Sequence, residues 1–395
     1  MSGYLHQAWA AGQNRAALAP KHCAGLMVIA DLMPTHTSSH AFAERAGQHP
    51  NMIRHAVKSA LRAAAAAIGP HRWRRGPCLL VLTYHRVLPK EHPARTTEQP
   101  GMLVSPELLA MHMEVLQRHF TPVHLDDWLR ASRAGEPPPG RSVAITFDDG
   151  WRDNYDYGFP VLKVANMPAT IFLVANMLEG KYRFWPNRLA DALKAWIPAF
   201  QNRLDDETRR QLDAVGIPLD IAGADLGPEQ IDTVITNSKA VDDASMHALL
   251  DRVEAMFRHV QPRRDSRDDR DLLNWDEVHE MADSGLIRFG SHTRHHTRLL
   301  HHLSSRVMTD EIVGSRSFIE KRLKQPVELF CYPNGDKTPD AYTLVKATYS
   351  GAVSTTRGWH RPLTDDYWIP RIGVHEDVSR TPLAFLARVS GWPGL

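Results

Sequence analysis

The chain has 395 residues, 43% hydrophobic and 23% charged, an ordinary globular composition that argues against disorder over most of its length. Its formal net charge of +2 gives no electrostatic pull toward nucleic acid, and none is expected as a partner. Three cysteines, Cys23, Cys78 and Cys331, include no Cys-x-x-Cys pair, which argues against a disulfide framework and for a reducing compartment.

No run reaches about 18 apolar residues, so no membrane-spanning helix is expected. "GLMVIADLM" (25–33) contains Asp31 and has no cleavage site after it, so it does not read as a signal peptide. Residues 1–51 read as a disordered extension, or as a start assigned too far upstream, with Met52 the alternative start. Residues 52–76 read as a basic helix with a small-residue face. Such a helix either packs on the domain surface or makes a peripheral membrane contact. The expected location is cytoplasmic, with membrane-peripheral placement as the variant.

The apolar run 77–87 follows Gly76 and predicts a buried strand. Ser105 caps a helix over 105–120, and "GEPPPG" (135–140) is a loop. Strands are expected at 141–147, 169–175, 286–291, 327–333 and 351–356. Helices are expected at 158–168, 275–285, 308–323 and 340–349. Alternating strands and helices with near-continuous apolar strands indicate an α/β fold with a parallel sheet. We expect a distorted (β/α) barrel of about seven parallel strands spanning 77–390, with chemistry at the strand C-termini. The highly charged stretch 181–270 breaks the alternation and reads as an inserted, largely helical segment, a cap over the barrel.

Two motifs carry chemistry. Asp148 and Asp149 stand side by side after a strand, an unfavourable pairing unless something compensates it. His292 and His296 are four apart after another strand. If the chain turns helical after Ser291, both imidazoles share one face and, with one carboxylate, form a three-ligand metal site. The second carboxylate is then free to take a proton from water. Alone, each motif is weak, because acid pairs are common and "HTRHHTRLLHH" is simply histidine-rich. Their joint placement after strands is far more specific.

On these residues the chain resembles the polysaccharide deacetylase family, the NodB-homology domain of carbohydrate esterase family four. "TFDDG" (146–150), "SHTRHH" (291–296) and "FCYPNG" (330–335) resemble its first three motifs. The resemblance covers roughly residues 77–180 and 270–375. It implies Asp148 as general base, with Asp149, His292 and His296 as ligands to one divalent metal. Zinc is the default for that ligand set, with cobalt, manganese or iron as alternatives. It further implies an acetyl carbonyl polarised by the metal, with Tyr332 and Pro333 beside the oxyanion and a histidine as acid. Many members carry Arg in the third motif, where this chain has Cys331; Arg371 in "WIPRIGVH" is the expected substitute. His375 and His85 are rivals for the acid. Trp359, with Trp368, is a candidate apolar wall for the acetyl methyl.

The function expected from this is metal-dependent removal of N-acetyl groups from amino sugars of a polysaccharide or a lipid-linked saccharide precursor. The alternatives are deformylation or hydrolysis of a small non-sugar amide, and a catalytically silent carbohydrate-binding homologue.

Overall fold

The computed structural model describes residues 60–61, 63–69, 76–138, 140–178, 183–197, 204–217, 226–256 and 270–391. The expected extension at 1–51 and the candidate signal segment within it lie outside these residues. Of the expected basic helix at 52–76, residues 60–61 and 63–68 are described and are helical. Ala66 is buried in the main core, whereas Leu61 and Ile68 are exposed.

Among the described residues, ten strands carry the fold: β1 (Cys78–Tyr84), β2 (Arg86–Val87), β3 (Leu103–Val104), β4 (Thr121–Pro122), β5 (Arg141–Phe147), β6 (Ala169–Leu173), β7 (Ile287–Ser291), β8 (Leu329–Cys331), β9 (Gly351–Val353) and β10 (Ile372–Gly373). Seven of them form one curled parallel path in the order β10-β1-β5-β6-β7-β8-β9, with β4 added alongside β5. This is the expected α/β distorted barrel. Residues 369–371 lead into β10 and also bond to the β9 arm, through Ser354 N–H to the Ile369 carbonyl (2.8 Å) and Arg371 N–H to the Thr356 carbonyl (2.8 Å). The last segment of the barrel therefore touches both edges of the sheet.

Strand alternation sorts the side chains. In β1, Leu80, Leu82 and Tyr84 face the surrounding helices, while Leu79 and Val81 belong to a separate inner cluster. That inner cluster includes Ala144, Phe172, Cys331 and Val353, and Leu125, Trp128 and Leu129 join it from a helix at Leu125–Arg133 that the sequence reading left out. The same period of two carries Thr83, Thr146 and Asp148 onto the inner face above this apolar plug. Fully buried strands account for the continuous apolar runs in the sequence, such as all seven residues of β1.

The helix Pro106–His119 starts at Ser105, whose side chain accepts from the Leu108 N–H at 3.2 Å, as its capping chemistry requires. The expected strand 327–333 shortens to β8, because Pro333 opens a tight turn in which Asn334 is left-handed (φ 54). The helix expected at 308–323 begins earlier, at Ser305 with Ser304 as its cap, and runs through a π-helical turn at Asp310–Gly314 into Ser315–Leu323. The short strand β10 and the C-terminal helix Pro382–Val389 were also not anticipated.

Between β6 and β7 the described residues form helices at Trp185–Asp191, Asp206–Ala214, Pro228–Ser238 and Asp243–Met256. They enclose a core of their own, with Trp185, Leu189, Leu193, Ile231, Leu250 and Val253 among its members. Arg298 ties this segment to the barrel. Its guanidinium donates to the carbonyls of Lys239 (2.7 Å) and Val241 (2.5 Å) and pairs with Asp243 at 3.2 Å. No helix among the described residues is long and apolar enough to cross a membrane.

Candidate active site

The C-terminal ends of β1, β5, β7 and β8 meet at a cavity of about 360 Å³. Asp148, Asp149, His292, His296, His85 and Arg371 all line it, together with Tyr332. The inserted helices supply one wall through Trp185, Asn187, Lys239 and Asp243.

The two neighbouring carboxylates avoid each other by pointing apart. Asp149 sits in the left-handed region (φ 76), followed by Gly150 (φ 74). Aspartate tolerates this conformation better than most side chains. At Gly150 a Cβ would be strained by that φ and would also meet Leu173 at 3.0 Å. The reversal leaves Asp148 facing Arg371 and turns Asp149 toward the histidines.

Arg371 grips Asp148 through two parallel bonds, Nη1 to Oδ1 at 2.7 Å and Nη2 to Oδ2 at 2.8 Å. Its remaining donors go to Thr146 Oγ1 (3.1 Å), the Ser354 carbonyl (3.0 Å) and Cys331 Sγ (3.3 Å). Burial would raise the Asp148 carboxyl, but the guanidinium outweighs it and holds it at about 2. Asp148 is therefore an ionised carboxylate in a buried site. Thr83 Oγ1 lies 3.4 Å from its Oδ2, and His85 Nε2 lies 3.8 Å away.

Asp149 Oδ1 lies 3.4 Å from Nε2 of both His292 and His296. Its Oδ2 accepts from the Trp151 indole at 2.9 Å, which fixes the carboxylate plane. His292 donates from Nδ1 to the Cys331 carbonyl at 2.8 Å, since a carbonyl can only accept. That bond leaves the Nε2 lone pair facing Asp149, the usual outer support of a metal-bound imidazole. Burial works against a charge on His292, yet the groups around it, Cys331 and Asp149 among them, raise its pKa well above the ordinary value. Burial likewise opposes ionisation of Asp149, and the two histidines hold it well below the carboxylate range. The pocket thus favours positive charge between these three side chains.

The chain does not turn helical after Ser291, as the sequence spacing had suggested. Residues 292–300 are turns and irregular backbone, with Thr293 (φ 65) and His296 (φ 59) left-handed. These reversals bring the two imidazoles to 4.9 Å between centroids at 71°. Buried Glu311 clamps the loop by accepting from the N–H groups of Arg294 (2.8 Å) and His295 (2.9 Å), and it also engages the His295 ring at 2.8 Å. His295 is thereby turned away from the cluster.

Among the described residues, two groups of side chains have converging metal-ligand atoms within 4.8 Å of one another: Asp149–His292–His296 and Asp148–His292–Cys331. Only the first fits a cation. In the second, both Asp148 oxygens are occupied by Arg371, and burial raises the Cys331 thiol above its ordinary pKa. A guanidinium 3.3 Å from the sulfur would also repel the ion.

The remaining expected residues divide. Tyr332 lines the cavity, but its backbone N–H is directed to the Val353 carbonyl at 3.4 Å, and Pro333 is buried in the turn behind it. His375 is not among the lining residues; it faces Asp377 at 3.6 Å, and burial lowers its pKa. Trp359 also lies off the cavity, packed near Phe120 with ring centroids 5.7 Å apart, and Trp368 packs on Tyr332 at 5.1 Å. The sequence reading missed Trp151, Arg298 and Glu98. The first two lie two residues beyond Asp149 and His296, a spacing that is the one sequence signal for them. Glu98 lies in a turn-rich stretch without any such cue.

The fold and the site define a distorted α/β barrel with an acid pair and a histidine pair at the strand ends. The polysaccharide deacetylase family model matches residues 135–212 and 237–351. The chain belongs to the polysaccharide deacetylase family. A stretch of 110 residues is 29% identical to YxkH of Bacillus subtilis (strain 168), whose name places it among polysaccharide deacetylases. That match spans 28% of this chain and 34% of the relative, about a third of its length. The solved Streptococcus pyogenes deacetylase PplD, in complex with acetate, is similar with a TM-score of 0.51 and 18% identity, over 80% of this chain and 100% of that one. IcaB from Ammonifex degensii gives a TM-score of 0.49 and 18% identity, over 79% of this chain and 98% of that one. At 18% identity the likeness to PplD speaks to the fold alone.

Proposed function

We propose that the protein is a metal-dependent hydrolase that removes N-acetyl groups from the amino sugars of a polysaccharide or a lipid-linked saccharide precursor. The observation that carries this reading is one cavity holding an ion-paired carboxylate, Asp148, beside the converging Asp149, His292 and His296. These three would hold a single divalent metal, zinc by the nature of the ligands, with cobalt, manganese or iron as alternatives. Bound there, such an ion supplies Lewis acidity toward an amide carbonyl and toward water.

The chain's own groups divide the proton work. Asp148, kept ionised by Arg371, accepts a proton from the attacking water. Arg371 also fixes the plane of that carboxylate, so the accepting lone pair stays aimed into the cavity. His85 is the group placed to protonate the leaving amine, because it lines the cavity within 3.8 Å of Asp148 whereas His375 does not line it. Water and the amide are consumed, and acetate and the free amino sugar are released.

The test is metal content of the purified protein together with acetate release from N-acetylglucosamine oligomers. About one equivalent of divalent metal and stoichiometric acetate support the reading. Metal retention without hydrolysis of any acylated sugar overturns it in favour of a silent binding protein. Release of formate from N-formyl substrates alone moves it to deformylation.

A further inference from the structure

The charges around the cavity do not balance one another locally. Among the described residues, four carboxylates line it, and each is engaged: Asp148 with Arg371, Asp149 with the histidines, Glu98 with Arg86 at 2.7 Å, and Asp243 with Arg298 at 3.2 Å. Three further cations line the same cavity, Lys239, Arg357 and Arg388. Among the described residues, none of these three forms an ion pair with a carboxylate.

Arg357 and Arg388 stand together. Arg357 Nη2 donates to the Arg388 carbonyl at 3.3 Å, and Arg388 Nε donates to the Gly373 carbonyl at 3.1 Å. Carbonyls orient the two guanidiniums without neutralising them, and among the described residues their remaining side-chain N–H donors have no protein acceptor. Arg388 is half-buried, and both burial and the neighbouring Arg357 disfavour its charge. Burial alone does the same for Arg357. Like charges held side by side at the wall of a partly desolvated cavity are unfavourable until an anion arrives, and the guanidinium fork matches phosphate or carboxylate oxygens.

We infer that Arg357 and Arg388 form an anion-binding subsite of the deacetylase cavity, so that the preferred substrate is an N-acetylated saccharide bearing a phosphate or a carboxylate. The inference rests on the deacetylase reading for the identity of the saccharide, but not for the existence of the subsite. The anion lies at a distance from the scissile acetamide along the same ligand. Its binding energy positions the sugar over the metal ligands and Asp148.

The experiment compares three probes on the metal-loaded full chain: diacetylchitobiose, its 1-phosphate, and a hyaluronan tetrasaccharide, which carries uronate carboxylates. The expected kcat/KM is about tenfold or more higher for an anionic probe than for the neutral one. That preference should fall toward unity in Arg357→Gln and in Arg388→Gln, mainly through KM, and should shrink at high salt. A preference confined to the phosphate points to a phosphate-linked precursor, and one confined to the tetrasaccharide points to an acidic polysaccharide. Equal rates on all three probes overturn the inference. So does an anion preference that survives in both variants, because the metal itself then binds the anion. Arg357 is exposed, so Arg357→Gln keeps the question open to test if Arg388→Gln does not fold. If no probe is hydrolysed, the deacetylase reading fails and calorimetric binding of the same probes decides. Tighter anionic binding that the variants lose upholds the subsite, and equal binding removes it.

Discussion

Arg371 and Asp148 meet through two nearly equal hydrogen bonds, 2.7 and 2.8 Å, with both side chains buried. Arg371→Ala leaves that carboxylate unpaired in the barrel interior, a cost of about 3–5 kcal/mol, and frees it to rotate or take up a proton. Turnover should fall at least about a hundredfold while bound metal stays near one equivalent. Arg371→Lys should not restore it, because an ammonium cannot reproduce the fork. Near-normal rates in either variant would remove Arg371 from the site.

Metal binding should follow Asp149 and spare Cys331. Elemental analysis is expected to find little metal in Asp149→Ala. Cys331→Ser should keep its full complement, since its thiol belongs to the group that Arg371 disqualifies. Metal lost from Cys331→Ser would point to the Asp148–His292–Cys331 cluster instead.

His85 and His375 separate by their dependence on the leaving group. His85→Ala should lose about 10²–10⁴ in rate on an N-acetyl sugar, whose amine needs a proton to depart. On 4-nitrophenyl acetate, which departs without one, the loss should be far smaller. His375→Ala should show no such divergence. A larger divergence for His375 would exchange the two roles.

Arg298 joins the histidine loop to the inserted helices through the Lys239 and Val241 carbonyls. Arg298→Ala should raise KM for oligosaccharides more than it lowers kcat. It should also make the connection around 239–242 more sensitive to limited proteolysis. Unchanged cleavage would show that the segment is held by its other contacts.

Acid stability should reveal His112. Its ring is buried between Tyr84 and the Ser379 carbonyl and stacks on Phe385 at 4.0 Å, and burial lowers its pKa to about 4. The unfolded chain protonates near 6.5, so the neutral folded ring contributes full stability above that value. The contribution is lost progressively as pH falls from about 6.5 toward 4, amounting to about 3 kcal/mol. Between pH 7.5 and 4.5, wild type should lose more stability toward urea than His112→Gln. Parallel losses would show that His112 is not the responsible group.

What the sequence disclosed followed from how local each signal is. The acid pair and the histidine pair are short motifs directly after strands, so residue type and spacing were enough. Their geometry was not legible, because His296 reaches its partner through left-handed backbone at Thr293 and His296 itself, which neither residue's propensity announces. Arg371 was reachable only through a resemblance, since 223 residues separate it from the carboxylate it serves. The helix Leu125–Arg133 was missed although its aromatic, Trp128, plugs the barrel floor; its apolar residues are few, and their partners come from distant strands. The cationic pair at Arg357 and Arg388 became visible only when the loop after β9 met the C-terminal helix Pro382–Val389.

The separation of Asp148 from Arg371 also bears on how the chain becomes active as it is made. At about 5–20 residues per second, a ribosome adds the 223 residues between them in about 10–45 s. Over that interval β5, β6 and then β7 follow β1, with Asp149 made first and His292 and His296 well over a hundred residues later, and the Asp148 carboxylate still has no counter-charge. The arm that supplies it is made only after β1 to β9. On the proposed role of Asp148, hydrolytic competence would wait until the Arg371 segment docks across the seam of the sheet.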